Sequence, residues 1–208
     1  ISQKQLRLKT SEFVERYIRI NKVLPFSFKG REYLRDIYDS DADAELFMTA
    51  RQCTKSTFLV NKILTRSATI PDLNTLYEAP REKQSKEFAK QKIKPIIRSS
   101  PEFAPFLTYN TKGGLIGASV LEYNCFKSGS RVTLSTTYDG GDRDRGVSMN
   151  DLYIDETQDQ LEDDIVVISE SLSASFYPPY MAWAGTPKSL SNYIEQLWNR
   201  SKKIYWHV

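Results

Sequence analysis

The amino-acid sequence predicts an α/β fold, in which a mostly parallel sheet is flanked by helices and carries an antiparallel addition. The order strand, helix, strand, helix across residues 44–98 favours parallel strands joined by crossover helices. Two later strand-like runs, residues 118–126 and 130–136, are joined by the tight turn Lys127-Ser-Gly-Ser130 and predict a hairpin. No repeat, linker or low-complexity tract divides residues 1–208, so we expect a single domain.

The elements of the first half follow from apolar spacing and turn residues. Leu6, Phe13, Tyr17 and Ile20 predict an amphipathic N-terminal helix, so that residues 1–24 precede a core over residues 25–200. The further predictions are an extended stretch at 25–28, a short helix at 31–38, strands at 44–49 and 73–79, a helix at 56–65 and a basic helix ending at 98.

The second half is predicted in the same way. The expected elements are strands at 107–110, 118–126, 130–136, 151–155 and 180–184, helices at 161–173 and 189–201, and a last strand at 203–206. A loop rich in Asp, Arg and Gly, residues 139–146, precedes the strand at 151–155.

Composition excludes several classes of protein. The chain is 40% hydrophobic and 26% charged, as in an ordinary globular protein, and its net charge of +3 permits an anionic partner without requiring one. Cys53, Cys125 and one His form neither a disulfide framework nor a zinc pattern, which fits a reducing, cytoplasmic compartment. The apolar runs are too short for a membrane span.

The basic segment 81–98 is either a solvated helix face or a nucleic-acid contact.

One segment looks like a phosphate-binding loop. In Met48-Thr-Ala-Arg-Gln-Cys-Thr-Lys-Ser-Thr-Phe58, a lysine and a hydroxyl residue stand between a predicted strand and a predicted helix. Thr49 and Thr54 occupy the places of the two usual glycines. Because a β-branched residue tolerates positive φ poorly, the loop is either adapted around Thr54 or binds phosphate more weakly.

Two further strands end in polar residues. Asp155 and Glu156 follow one strand, where an aspartate can hold Mg²⁺ and a glutamate can orient water; helix capping is the alternative reading. Gly185-Thr186-Pro187 follows the other strand. Because the carboxyl ends of parallel strands share one edge, we expect the lysine loop, the Asp-Glu pair and the Gly-Thr turn to lie together.

These pieces together resemble a known family. ARQCTKST, LYEAPREKQSKEF, SGSRVTL, DRDRGVSMNDLYIDETQD and AGTPKS are similar, in this order, to the ATPase domain of the large terminase subunit, the DNA-packaging motor protein of tailed bacteriophages. The resemblance covers about Pro25 to Trp198 and implies a P-loop NTPase fold of the RecA-like (ASCE) class. Arg51 and Gln52 match the family's habit of beginning the Walker A loop with Arg-Gln, whereas Thr54 departs from it.

The resemblance also implies roles for particular residues. ATP and Mg²⁺ are the implied cofactors. Lys55 and Glu156 are implied as catalytic residues, Ser56 and Asp155 as magnesium ligands, and Thr186 as the coupling residue. Arg145 is the implied arginine finger acting on a neighbouring subunit, with Arg143 and Arg51 as alternatives, and a salt bridge with Asp142 or Asp144 is its ordinary reading. The implied ATP-binding residues are Arg51, Gln52, Cys53, Thr54, Lys55, Ser56 and Thr57.

The resemblance does not supply every expected contact. The family's adenine-contacting Gln near residues 25–26 has no counterpart, so stacking by Phe26, Phe28, Arg31 or Tyr33 is the substitute expected here. The nuclease domain that normally follows in the family would lie beyond this chain, and no nuclease activity is expected of residues 1–208.

The implied partners are double-stranded DNA, the portal protein, the small terminase subunit and further copies of the chain in a ring on the procapsid. The implied location is the host cytoplasm, docked at the portal, with no membrane. Two rivals stay open. A superfamily-2 helicase-like translocase shares the first two motifs, and a nucleotide-independent scaffold binding DNA or the portal would explain the lost glycines.

Overall fold

The computed structural model describes residues 8–20, 23–137, 148–170, 172, 178–188 and 192–201. Its strands are β1 (Ala44–Met48), β2 (Asn74–Ala79), β3 (Glu122–Tyr123), β4 (Arg131–Thr136), β5 (Asp151–Ile154) and β6 (Tyr180–Gly185). They form one sheet in the order β1-β6-β5-β2-β4-β3. Every neighbouring pair is parallel except β3 and β4, so the predicted mostly parallel sheet with an antiparallel addition is confirmed.

Helices cover both faces of the sheet. They are α1 (Thr10–Tyr17), α2 (Leu34–Tyr38), α3 (Lys55–Thr69), α4 (Glu82–Phe88), α5 (Lys94–Ser99), α6 (Glu162–Ser169) and α7 (Tyr193–Arg200). A π-helical segment, Ala89–Ile93, joins α4 to α5 without a break, and short 3₁₀ helices occupy Pro101–Phe106 and Thr157–Asp159. Among the described residues, no helix combines the length and the apolar character needed to cross a membrane.

Two apolar cores lie on opposite faces of the sheet, because side chains alternate along each strand. Leu76 of β2 and Leu152 of β5 belong to the smaller core, which also holds Ile165 of α6. Their neighbours Tyr77 and Tyr153 belong to the larger core, which buries α1, α3 and α4. With both faces covered, the central strands read as continuous apolar runs, as is typical of parallel sheets.

A polar cluster fixes α3 to the end of the sheet opposite the carboxyl ends of the parallel strands. Arg66 donates two hydrogen bonds to the fully buried Asp151, at 2.6 and 2.9 Å, and its guanidinium lies 4.6 Å from the centre of the Tyr180 ring. One helical turn earlier, the Lys62 ammonium lies 3.2 Å from the Glu45 carboxylate. These contacts set the position of α3 relative to β1, β5 and β6.

Several predicted boundaries were wrong. The strand predicted at 118–126 is reduced to Glu122–Tyr123, and residues 107–110 make only isolated bridges. Gly113 and Gly117, both with positive φ, turn the chain between these bridges, which prevents a continuous ladder. Helix α6 is shorter than the predicted 161–173, and α1 is described only over Thr10–Tyr17. The strand predicted at 203–206 lies outside the described residues.

Candidate functional site

The lysine loop connects the end of β1 to the start of α3. Gln52 and Thr54 both have left-handed backbone conformations, with φ of 62° and 64°. Alternate left-handed residues curve a loop so that its N–H groups can face a common point, which is the geometry of an anion-binding concavity. The described part of the chain has two other non-glycine residues with positive φ, Asp72 and Glu156, and Glu156 lies in the same site.

The N-terminus of α3 opens onto this concavity. Thr54 is its capping residue, but the Thr54 hydroxyl donates to the Cys53 carbonyl oxygen at 2.7 Å and leaves the helix uncapped by any side chain. The first turn contains no acidic residue. Because the first N–H groups of a helix lack partners within the helix, they and the helix dipole favour an anion at this point.

Lys55 begins α3 and is only 8% exposed. Its ammonium group donates to the Ala50 carbonyl oxygen at 3.0 Å and to the Thr186 hydroxyl at 2.8 Å. The ends of β1 and β6 are therefore joined through this side chain. The predicted phosphate-binding lysine and the predicted coupling residue are in direct contact.

Asp155 follows β5 and is buried beside α3. One carboxylate oxygen accepts from the Tyr77 hydroxyl at 2.9 Å and lies 3.5 Å from the Ser56 hydroxyl, while the other accepts from the Glu156 N–H at 2.9 Å. Burial raises the pKa of Asp155 to about 6, and the nearby charge of Glu156 adds to this effect, against the lowering effects of Tyr77 and Lys55. A cation at this carboxylate would offset its desolvation.

Glu156 and Thr186 are linked by Gln158, a residue that sequence reasoning missed. The Gln158 carboxamide donates to the Glu156 carboxylate and accepts from the Thr186 N–H at 2.9 Å. Gly185 permits this approach, because a Cβ at that position would lie 2.5 Å from the Gln158 oxygen. A carboxamide residue two positions after Glu156 was the available sequence signal, but its partners could not be read from the sequence.

These groups surround one cleft of about 570 Å³. All seven predicted ATP-binding residues line it, together with Glu156 and Thr186. Asp155 does not itself line the cleft, but its carboxylate contacts the hydroxyl of Ser56, which does. The cleft is also lined by residues that were not predicted, namely Gln84, Lys92, Gln158, Asp159 and Lys188. Arg145 and Arg143 lie outside the described residues, so the structure does not place the predicted arginine finger.

The predicted stacking residues do not line the cleft. Phe28 is 1% exposed and packs edge-on against Tyr38, with Arg35 over its ring, so the expectation that Phe28 stacks on a base was wrong. The aromatic side chain is used in the larger core instead. Phe26 is half-buried against the same cluster, and Arg31 and Tyr33 are exposed away from the cleft lining.

The oxygen atoms available in the cleft suit Mg²⁺, which needs few protein ligands, better than a metal ion that is coordinated by protein side chains alone. Within the described ranges, no group of three or more His, Cys, Asp or Glu side chains could hold a metal ion. The nearby Ser56 hydroxyl and Asp155 carboxylate supply two hard oxygen ligands. Mg²⁺ is commonly held by one or two protein oxygens together with phosphates and water, so this pair suits it.

Comparisons with known proteins bear on the family and the fold of the chain. The family described as "Phage terminase large subunit gpA, ATPase domain" matches residues 21–208. The large terminase of bacteriophage HK97 superposes with a TM-score of 0.71 at 13% identity, over 91% of this chain and 40% of that one. The large terminase ATPase domain of a Thermus phage superposes with a TM-score of 0.57 at 17% identity, over 76% of this chain and 64% of that one.

A third structure, the large terminase of a thermophilic bacteriophage, gives a TM-score of 0.56 at 11% identity, over 85% of this chain and 43% of that one. At such identities the likeness shows the fold, and this chain spans less than two thirds of each of these proteins. No protein with a curated description matches significantly. Because the family match covers most of its length, the chain belongs to the family of phage terminase large-subunit ATPase domains.

Proposed function

We propose that this chain binds ATP with Mg²⁺ and hydrolyses ATP to drive translocation of viral DNA into a procapsid. The observation that carries the proposal is the convergence, at one cleft, of an uncapped helix N-terminus, a buried lysine, a Ser–Asp oxygen pair and a glutamate. Each of these groups matches one requirement of phosphoryl transfer: phosphate binding, charge neutralisation, metal binding and water positioning.

The phosphates would be bound by backbone N–H groups of residues 51–55 and of the first turn of α3. Lys55 would supply the charge that neutralises the β- and γ-phosphates. Its ammonium already has acceptors at Ala50 and Thr186, so phosphate oxygens would replace contacts that exist within the chain.

Ser56 and Asp155 would hold the metal from two sides. Mg²⁺ at this position would neutralise negative charge that develops on the transferred phosphoryl group. The Tyr77 hydroxyl and the Glu156 N–H each donate to Asp155, which fixes the carboxylate before the metal binds.

Glu156 would orient and polarise the attacking water. Its backbone has φ of 48°, a conformation that is costly for a non-glycine residue, and the residue lines the cleft. The Gln158 carboxamide donates to one of its carboxylate oxygens and restricts its rotation. A carboxylate held in this way needs little reorganisation when the reaction begins.

Thr186 would couple hydrolysis to movement. It contacts Lys55 through its hydroxyl and Gln158 through its N–H, so it is connected to both the phosphate-binding and the water-positioning sides of the cleft. When Lys55 turns towards phosphate, the Thr186 hydroxyl loses a donor. The turn after β6 therefore responds directly to the occupant of the cleft.

The proposed partners follow from the family. They are double-stranded DNA held mainly through its phosphates, the portal protein, the small terminase subunit and neighbouring copies in a ring, in the host cytoplasm at the portal. Arg145 of one copy is proposed to reach the nucleotide of the next. An arginine in trans contributes roughly 10³–10⁵ in rate, so the isolated chain should be nearly inactive.

Calorimetric titration with a non-hydrolysable ATP analogue and Mg²⁺ tests the proposal. We expect saturable binding by the unaltered chain and at least about tenfold weaker binding by Lys55→Ala, because a charge-assisted contact is removed. The exposed Lys112→Ala serves as a control and should bind like the parent.

Glu156→Gln should keep this affinity but lose ATP turnover in an assembled motor, because the amide cannot accept a proton from water. An unaltered chain that shows no saturable binding at millimolar nucleotide would favour the scaffold reading over the ATPase. Wild-type turnover by Glu156→Gln would mean that another residue positions the water.

A further inference from the structure

The π-helical segment between α4 and α5 aligns two residues of that helix with the cleft. The Lys94 N–H bonds to the Ala89 carbonyl oxygen, five residues earlier, which is the spacing of a π turn. Eight residues of pure α-helix would place Gln84 and Lys92 about 80° apart around the axis. Because a π turn holds about one residue more, the same eight residues make about two full turns and bring both side chains to one face.

Both residues line the same cleft as the lysine loop. They lie on the helical segment that follows β2, and β2 pairs with β5, the strand that precedes Glu156. Side chains on a helix point towards its N-terminus, so the Lys92 side chain points towards the start of α4, which follows the carboxyl end of β2.

Neither side chain has a polar partner within the described part of the chain. The buried end of the Gln84 carboxamide makes no hydrogen bond, and a rotation of this amide by about 180° would place its NH₂ group there as a donor. Lys92 is half-buried and forms no ion pair with any described carboxylate, whereas Lys188 pairs with Asp159 and Lys55 has two acceptors. The Lys92 ammonium and the Gln84 NH₂ group are donors without acceptors in a concave site, and the oxygens of a bound phosphate would supply those acceptors.

We propose that Lys92 and Gln84 form a second phosphate contact in this cleft, which binds the terminal phosphate of a nucleoside triphosphate. The inference rests on the proposed ATPase function and assigns two residues to its site. We choose the terminal phosphate because β2, the strand before the pair, is the sheet neighbour of β5, the strand before Glu156, where the attacking water would be positioned. Lys55 and the N-terminus of α3 would contact the β- and γ-phosphates from the side of the lysine loop.

The test compares affinities for a non-hydrolysable ATP analogue and for ADP, each with Mg²⁺, by calorimetric titration. Lys92→Met keeps the length of the side chain and removes its charge. We expect about tenfold or greater weakening for the ATP analogue and less than about twofold for ADP. The matched control is Lys90→Met, at an exposed position on the same helix outside the cleft lining, which should change neither affinity.

A second variant keeps the test decisive if Lys92→Met folds poorly. Gln84→Glu places a negative charge beside the terminal phosphate and should also weaken the ATP analogue selectively. Equal losses for the ATP analogue and ADP would overturn the assignment to the terminal phosphate. Unchanged nucleotide affinity with weaker duplex-DNA binding than in Lys90→Met would overturn it in favour of a DNA phosphate contact.

The outcome is separable from that of the proposed function. If the unaltered chain binds nucleotide and Lys55→Ala weakens the binding, but Lys92→Met and Gln84→Glu do not, then the ATPase proposal stands and this inference fails. If the unaltered chain binds no nucleotide, both proposals fail.

Discussion

Thr54 adopts the backbone conformation that glycine would adopt in a phosphate-binding loop. Its φ of 64° costs a β-branched residue about 1–2 kcal/mol relative to the right-handed region. From the sequence, two outcomes were open: a loop rebuilt around threonine, or weaker binding. The left-handed conformation at Thr54 shows that the strain is held in the loop while its glycine-like curvature is kept.

Thr54→Gly should therefore relieve strain without changing the site. We expect the free energy of unfolding to be unchanged or to rise by up to about 1 kcal/mol, because strain relief exceeds the added entropy of the unfolded chain. Affinity for ATP and Mg²⁺ should stay the same. Urea denaturation and calorimetric titration measure the two quantities.

The matched control is Asp72→Gly, at a left-handed position remote from the cleft, which should leave nucleotide affinity untouched. Markedly weaker nucleotide binding by Thr54→Gly alone would show that the threonine side chain itself positions the loop.

Asp155 is a carboxylate whose burial is unfavourable without a cation. Its pKa of about 6 lies above the value of 3.8 for a free aspartate, so the folded protein binds the extra proton between about pH 4 and pH 6. This contribution therefore favours folding at pH 4 and is lost as the pH rises to about 6. Above that pH the charged group costs the folded state up to about 3 kcal/mol.

Asp155→Asn should raise the free energy of unfolding at pH 7.5 by about 1–3 kcal/mol, measured without nucleotide or metal. The gain should shrink as the pH falls to about 4, where Asp155 is also neutral. Stabilisation by Mg²⁺ with nucleotide should be lost in the variant. The exposed Asp163→Asn is the control, and a variant less stable than the parent at pH 7.5 would contradict the assigned desolvation.

At the scale of elements, α3 joins the two ends of the sheet. Its first residue, Lys55, lies at the cleft, and Arg66 near its other end pairs with Asp151 at the start of β5. Burial raises the pKa of Asp151, while Arg66 opposes the rise. Removing the arginine would leave a fully buried carboxylate without its ion pair.

Arg66→Ala should lower the free energy of unfolding at pH 7 by about 3 kcal/mol. Without Arg66 the folded pKa of Asp151 lies further above that of the unfolded chain, so the loss should become smaller as the pH is lowered. Urea denaturation at several pH values checks both statements. The control is Lys86→Ala, which breaks an exposed pair with Glu82 and should cost less than about 0.5 kcal/mol.

Over the whole molecule, the sequence predicted correctly those features that depend only on the order of strands and helices along the chain. The strand–helix order predicted the parallel sheet, and the shared edge of parallel strands predicted that Lys55, Asp155 and Thr186 would lie together. Hydrogen bonds through Thr186 and Ser56 show this proximity in the structure. Their roles in ATP hydrolysis stay predictions.

Features that depend on packing between distant segments could not be predicted. Gln158 acquires its role from the close approach of Gly185, 27 residues later. Lys92 and Gln84 reach the cleft only through a π turn that no residue in AKQKI specifies. Phe28 was one of four candidates for stacking, because an aromatic residue in an extended stretch does not reveal whether it faces a ligand or the core, and the structure buries it.

The two hydrogen bonds of Lys55 bear on how readily a phosphate bound at this site would leave. When phosphate leaves, the Lys55 ammonium can return to the Ala50 carbonyl oxygen and the Thr186 hydroxyl. The departure of phosphate therefore leaves no buried ammonium without a hydrogen-bond acceptor. Such a site holds phosphate less tightly than a bare cation would. For the proposed packaging motor, we expect this weaker binding to favour rapid release of phosphate over retention of nucleotide.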